Sequence, residues 1–405
     1  MTERTNQSGY AYLPEDLLLG MLNDTPRVVD KLCEFISVND EQKDAGRAEL
    51  LKNNLIKKVS TAEYTTDLIA VDGANIIEHM TGSDLLMSIA VGVEGISDKP
   101  SNDWPTQGKQ HYSWQEALPH HPANSRLTQG IMFLMELSIL ANANHEFRIM
   151  DGSHITSIMK LNSLLSPNDD EFADEAYVNA LNSFLLTNYN KIIPDIPQII
   201  NDGFKDPKVI GLTKYSSSRE ILDSRLANLN IPGDDKTFFN LSLNEEEYTV
   251  PLPVGQARKE REQWNMIHMK CNLALPITGD EMQDLNTRLK AVLHRFKPTK
   301  SSSQTTISES DLYFFYYKPN EHGICYRIEV KKALAEDTAK LEKFLVSLKK
   351  QIFFPEIHEP YPQYLADVIA KNISFGMGAL KHAIMSSEKI STNSDISFIM
   401  SYRSK

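Results

Sequence analysis

Two apolar runs that close on the same dipeptide constrain this chain more than anything else in it. Leu68-Ile-Ala-Val-Asp72-Gly73 and Phe147-Arg-Ile-Met-Asp151-Gly152 share one design. A short apolar, β-leaning run bounded by a turn signal is a buried strand, and glycine lets the backbone turn sharply where it ends. The aspartate is then delivered to the rim of the sheet. Two carboxylates on rigid strand ends are a means of holding Mg²⁺ or Mn²⁺ for phosphodiester chemistry. Taken singly, each Asp-Gly also reads as a solvated turn. The repetition favours the site.

The 405 residues suffice for one large domain or two ordinary ones. With 41% hydrophobic and 24% charged residues the composition is that of a soluble protein with an ample core. No run of about 18 apolar residues is present to span a bilayer. The N-terminus, Met-Thr-Glu-Arg-Thr-Asn-Gln-Ser, lacks the apolar stretch of a secretory leader. Cys33, Cys271 and Cys325 are too scattered for a disulfide framework or a zinc site, which points to a reducing, cytoplasmic setting. A net charge of −12 argues against binding nucleic acid over the whole surface, yet leaves room for an enzyme with a local cationic groove.

Residues 14–60 read as helical, with Leu17, Leu18, Leu19, Met21 and Leu22 forming an apolar patch, and they are taken as an N-terminal helical extension (1–60) to a main domain (61–405). After Asp72 a β-meander is expected, with Leu85–Val93 as a central strand. Residues 97–125, with four prolines and two tryptophans, read as a long loop, and 126–143 as a strongly apolar helix. The run 171–200 reads as helix, 208–214 as a strand with a basic rim, and 298–310 as a polar loop. Two late strands (312–317 and 323–330) and helices at 334–350 and 361–386 complete a mixed sheet flanked by helices.

In order, the chemistry-bearing residues are Asp72, a glutamate on the apolar helix (Glu136), Asp151, Lys214 followed by serines and Arg219, then Tyr326-Arg327-Ile-Glu329, and finally Pro360-Tyr361-Pro362-Gln-Tyr-Leu-Ala-Asp367. In this order and spacing the chain resembles the NurA nuclease family over roughly residues 65–385. The resemblance implies an RNase H-like α/β fold and a manganese-dependent DNA nuclease. It makes Asp72, Glu136 and Asp151 metal ligands and catalytic residues, with Mn²⁺ (or Mg²⁺) as the cofactor. A glutamate between Met135 and Leu137 would in any case be costly to bury unless paired or metal-bound; the other reading puts it at a solvated helix edge. The family usually carries a histidine where this chain has Asp367. An aspartate is also a hard oxygen ligand, so Asp367 reads either as a fourth ligand or as a carboxylate at a helix N-terminus.

Lys214 and Arg219, following a strand, are placed to contact phosphate, Lys214 also as a catalytic cation. Arg327 reads as a further DNA contact or as a partner of Glu329. Histidines 120, 121, 145, 154 and 358 show no metal spacing. The resemblance further implies 5′-to-3′ exonuclease or single-strand endonuclease action, a homodimer, and a HerA-type hexameric ATPase as partner in DNA end processing or anti-phage defence. The chain has no phosphate-binding ATPase loop of its own. Two other classes remain open, an inert DNA-binding adaptor of the same ATPase and a metal-dependent phosphatase.

Overall fold

The computed structural model describes residues 14–36, 38–60, 66–97, 110–154, 156, 160, 163–164, 175–188, 208–254, 312–353, 356–393 and 395. The expected polar loop at 298–310 lies outside them, as do the ends of the expected helix at 171–200. In chain order the strands are β1 (Ile56–Lys58), β2 (Leu68–Met80), β3 (Ser83–Glu94), β4 (His111–Leu118), β5 (Phe147–Asp151), β6 (Val209–Thr213), β7 (Glu247–Thr249), β8 (Leu252–Pro253), β9 (Leu312–Lys318) and β10 (Tyr326–Lys331). The helices are α1 (Glu15–Asn23), α2 (Thr25–Ile36), α3 (Asp40–Lys52), α4 (Asn124–Asn142), α5 (Glu175–Asn188), α6 (Glu220–Arg225), α7 (Asp235–Ser242), α8 (Lys332–Ala335), α9 (Thr338–Lys349), α10 (Tyr361–Lys371), α11 (Ile373–Met385) and α12 (Glu388–Ser391).

All ten strands form one mixed sheet in the order β1-β7-β9-β10-β6-β5-β2-β3-β4, with β8 on β9. Its heart is an antiparallel meander, β2-β3-β4, continued by β5 and β6 in parallel, as the RNase H-like reading requires. The parallel strands are apolar on both sides because both are covered. Ile69, Val71 and Met150 face the layer of α3, α4, α5, α6 and α7. Leu68, Ala70, Phe147, Ile149, Ile210 and Leu212 face α8 and α9. On that second face α11 seals the outer meander through Ile373 and Met377 against Met80, Leu85 and Met87.

Several expectations change. β2 does not stop at Asp72. It runs eight residues further, paired with β3 in unbroken register as far as Met80. What ends near Asp72 is the parallel pairing with β5, whose last pair is Val71 with Met150. The stretch expected to be a loop at 97–125 contains β4, where Trp114 is buried edge-on against Phe184 of α5. The long helix expected at 361–386 breaks at Asn372 into α10 and α11. β1 pairs with β7, and α3 packs under α7, where Gly46 admits the Phe238 ring, so the sheet begins before residue 61. Among the described residues, α1 and α2 stand apart from the sheet. No residue of α1 is buried, and Leu17, Leu19, Met21, Leu22, Val28, Val29 and Leu32 are all exposed. Among the described residues no helix is long and apolar enough to cross a membrane.

Candidate active site

The parallel pairing of β2, β5 and β6 ends at one place, where β5 and β6 terminate and β2 runs on alongside β3, the kind of position where open α/β sheets bind ligands. Asp72 and Asp151 each stand one step beyond the last β2–β5 pair, so they are neighbours across the two strands. Lys214 follows β6, two residues past Leu212, which pairs with Asp151. Strand alternation puts Asp72, Asp151 and Lys214 on the α9 and α10 face of the sheet. From that face α10 supplies Gln363, whose amide donates to Asp151 Oδ1 at 2.7 Å. The loop before α10 supplies Glu359, 3.1 Å from Lys214 Nζ. Lys214 also lies 3.2 Å from Asp151 Oδ2.

Glu136 arrives from the other face. It is buried on α4, and it reaches the rim because residue 73 is glycine. A Cβ there would stand 2.4 Å from Glu136 Oε1, 2.6 Å from Met132 Cγ and 2.9 Å from the Ile89 carbonyl. Gly73 is therefore a notch in the sheet through which the helical carboxylate approaches Asp72, and its backbone is not in a left-handed turn. Gly152 is different: its φ is +96°, nothing lies near its absent side chain, and it turns the chain sharply after Asp151.

The electrostatics follow from this crowding. Burial, reinforced by Asp151, pushes Asp72 up to about 7, against the pull of Lys214 and the Gly73 amide, which donates to Asp72 Oδ1 at 2.8 Å. Burial, with Asp72 and Asp151 adding repulsion, raises Glu136 well above the ordinary carboxylate range. Burial alone would lower Lys214, but Asp151 and Glu359 outweigh it and hold the ammonium firmly charged. Asp367 lies close enough to Asp72 to disfavour its charge, and it forms a 2.6 Å ion pair with Lys371. It is the seventh residue of α10, so the helix-N-terminus reading does not apply to it.

Two expected DNA contacts are not brought to this place. Arg327 is 5% exposed, lies over the Phe314 ring, and pairs with Glu220 at 3.1 Å and Glu329 at 3.4 Å. Every residue of β10 is buried, so this guanidinium is held inside, between Glu220, Glu329 and the Phe314 ring. Arg219 pairs with Asp223 and donates to the carbonyls of Gly233 and Ile231, fastening the loop before α7. His154 is buried beside Glu329, with its pKa lowered to about 4 by burial and then by Lys331. The sequence carries no signal that Gln363 and Glu359 belong to the site. Their place depends on α10 docking against strands some two hundred residues earlier, and no local pattern marks it.

The donor set suits a hard divalent cation. Asp72 and Glu136 are carboxyls whose charge is disfavoured where they stand, a condition a bound cation relieves. Gln363 Oε1 is a buried oxygen with no hydrogen-bond partner beside Asp151. A set of hard oxygen donors suits Mg²⁺ and Mn²⁺. Next to this set opens a cleft of about 860 Å³ lined by Lys214, Ser216, Lys236, His358, Glu359 and Tyr364, with exposed Tyr215 at its wall.

An antiparallel meander continued by two parallel strands, with carboxylates and a lysine at the strand ends, defines an α/β protein of RNase H-like architecture. A family model described as the NurA domain matches residues 34–368, and the chain belongs to the NurA family, a family of nucleases. In fold it is similar to the crystal structure of the NurA nuclease from Sulfolobus solfataricus, with TM-score 0.51 and 13% identity over 92% of this chain and 99% of that one. More distant are a crystal structure of NurA bound to dAMP and manganese (TM-score 0.40, 11% identity, 85% and 92% covered) and one of NurA with manganese (0.36, 14%, 89% and 98%). A search of curated proteins finds no match.

Proposed function

We propose that this chain is a divalent-metal-dependent deoxyribonuclease whose site is the rim formed by β2, β5 and β6. One observation carries the reading: buried carboxyls from two faces of the sheet, Glu136 and Asp72, lie near enough to each other and to Asp151 to disfavour one another's charge, where the β2–β5 pairing ends. Asp72, Glu136 and Asp151 would hold the ion, with Asp367 at the outer edge and Gln363 Oε1 turned to the same space. When bound, Mn²⁺ or Mg²⁺ supplies Lewis-acid activation of water and neutralises charge on the scissile phosphate. Lys214, fixed between Asp151 and Glu359, orients a non-bridging phosphate oxygen. Gln363 holds Asp151 through its 2.7 Å hydrogen bond, and the cleft beyond Lys214 receives the adjoining nucleotide, with Lys214 and Lys236 set against Asp234, Glu356 and Glu359 and with Tyr215 and Tyr364 available to stack on a base.

The partner reading follows the same family. A HerA-type ATPase would supply DNA movement, and the uncovered apolar surface of α1 and α2 offers a place for a subunit, either that ring or a second copy of the chain. Removing residues 14–36 should weaken assembly, measured by light scattering with and without the ATPase, while leaving metal-dependent cutting in place. Unchanged assembly would assign the two helices to this chain alone.

The activity is tested on end-labelled single- and double-stranded oligonucleotides, alone and with the ATPase. Cleavage should require Mn²⁺ or Mg²⁺. Asp72→Asn and Asp151→Asn should each lower it about a thousandfold, close to 4 kcal/mol of barrier, with the far-UV circular dichroism of the wild type. Cleavage that survives in either variant, or that proceeds in chelator, removes these residues from the chemistry. Binding of DNA without any cutting would make the chain an adaptor.

A further inference from the structure

Far along the β2–β3 hairpin from the carboxylate rim, three side chains converge in a way that no sequence spacing announces. His79 and Asp84 are direct cross-strand partners either side of the Thr81-Gly82 turn. Asp84 is also paired with Leu118 at the end of β4, and His120 follows two residues later. The Nδ1 atoms of both histidines lie 2.6 Å from the same oxygen, Asp84 Oδ1. The other oxygen, Oδ2, accepts from the amide of Asn124 at 2.8 Å, and that amide also donates to the Pro119 carbonyl at 2.9 Å. Asp84 and Asn124 are buried, whereas the His79 and His120 side chains are 67% and 49% exposed. Among the described residues this is the group of three whose ligand atoms all lie within 4.8 Å of one another.

We infer that His79, Asp84 and His120 form a second metal site, selective for Zn²⁺ or a similar nitrogen-seeking ion and separate from the rim. Two imidazoles and a carboxylate with a solvent-facing fourth position are a donor set that Zn²⁺ takes, at about 2.0–2.2 Å from each atom. Neutral imidazole binds zinc far better than it binds Mg²⁺, so the two ends of the hairpin divide divalent ions by donor type: oxygen at the rim, nitrogen here. To surround an ion, the two 2.6 Å Nδ1···Oδ1 hydrogen bonds must open to roughly 3.4 Å, the ligand spacing of a tetrahedral zinc site, a shift that the exposed His79 and His120 side chains supply by rotating. Asn124 does for Asp84 what an outer hydrogen bond does in metal sites: it fixes the carboxylate's direction. An ion here ties β2, β3 and the loop before α4 together. α4 is the helix that carries Glu136 to Gly73, so the clasp secures the base of that helix against the sheet.

The test uses the full chain and Zn²⁺ alone as probe, in excess Mg²⁺ to fill oxygen sites. Calorimetric titration should show a single tight Zn²⁺ per chain, with a rise in thermal midpoint that a chelator reverses. Co²⁺ in its place should give the intense visible absorption of a tetrahedral nitrogen-containing site. His79→Ala and His120→Ala alter exposed side chains and should fold normally, yet weaken Zn²⁺ by about tenfold or more and lose the Co²⁺ band. Asp84→Asn, at a buried position, serves only as a third variant. Absence of Zn²⁺ uptake by the wild type overturns the inference, as do titrations that the two histidine variants leave unchanged.

Discussion

Asp72-Gly73 and Asp151-Gly152 are the same two letters used in opposite ways. After Asp151 the strand ends and Gly152 takes a left-handed backbone that favours glycine, with open space around it. After Asp72 the strand continues, and Gly73 is there because helix α4 and its Glu136 carboxyl press against the sheet. One glycine solves a backbone problem and the other a packing problem. Identical dipeptides can thus deliver adjacent aspartates by different physics.

The comparison can be broken first at the aspartates. Both Asp→Asn changes should abolish cutting, but their effects on stability should part. Asp151→Asn strips Lys214 of one of two anionic partners and should cost on the order of 1 kcal/mol at this partly exposed pair. Asp72→Asn removes a buried charge and should leave stability unchanged or higher. Urea denaturation in metal-free buffer measures both, and equal losses would show that the two aspartates stand in equivalent surroundings.

The glycines come next. Gly73→Ala drives a methyl into Glu136, Met132 and the Ile89 carbonyl, an overpacking that costs about 1–3 kcal/mol and should displace Glu136, so cutting falls with stability. Gly152→Ala meets no atom and should cost about 1 kcal/mol through backbone conformation alone. If the second substitution proved the more damaging, the assignment of packing to one and turning to the other would be wrong.

A smaller effect is expected in pH. Without metal, Asp72 holds its proton up to about 7, because burial and then Asp151 disfavour the charge, while the unfolded chain releases it near 3.8. Between these values the native state binds more protons than the unfolded one. This group's penalty on folding is therefore absent below about 4, grows as pH rises, and is complete above 7. Denaturation midpoints of wild type and Asp72→Asn at pH 5 and pH 8, in chelator, should differ in slope accordingly. Saturating Mn²⁺ should flatten the wild-type slope. Parallel slopes would mean that Asp72 is already ionised in the metal-free fold.

The sequence makes the strands of the site visible because burial on both faces writes itself as apolar runs, Leu68–Val71, Val209–Leu212 and Phe147–Met150, the last interrupted only by Arg148, whose guanidinium donates to the Leu140 carbonyl. Glu136 stood out for the same reason, a charge in an apolar helix. Where β2 ends was not legible, since a hairpin strand half covered by α11 looks locally like a turn followed by another strand. β4 was hidden by prolines on either side of its alternating pattern. Arg327 alternated like a surface residue, and only the burial of every residue of β10 shows it to be internal. Gln363, Glu359 and the trio around Asp84 are products of long-range docking and register, which single-residue patterns do not encode.

The way the strands are strung together also sets an order of completion. β2 through β6 can pair once the chain has been made as far as Thr213, and the carboxylates of Asp72, Glu136 and Asp151 are then all present. Gln363 and Asp367 come from α10 and Glu359 from the loop just before it, more than 140 residues after β6, and β1 must wait for β7 at residues 247–249. Contacts this distant in sequence form slowly. During synthesis the rim therefore stands incomplete until α10 has been made, with Lys214 beside Asp151 but without Glu359 as its second anionic partner.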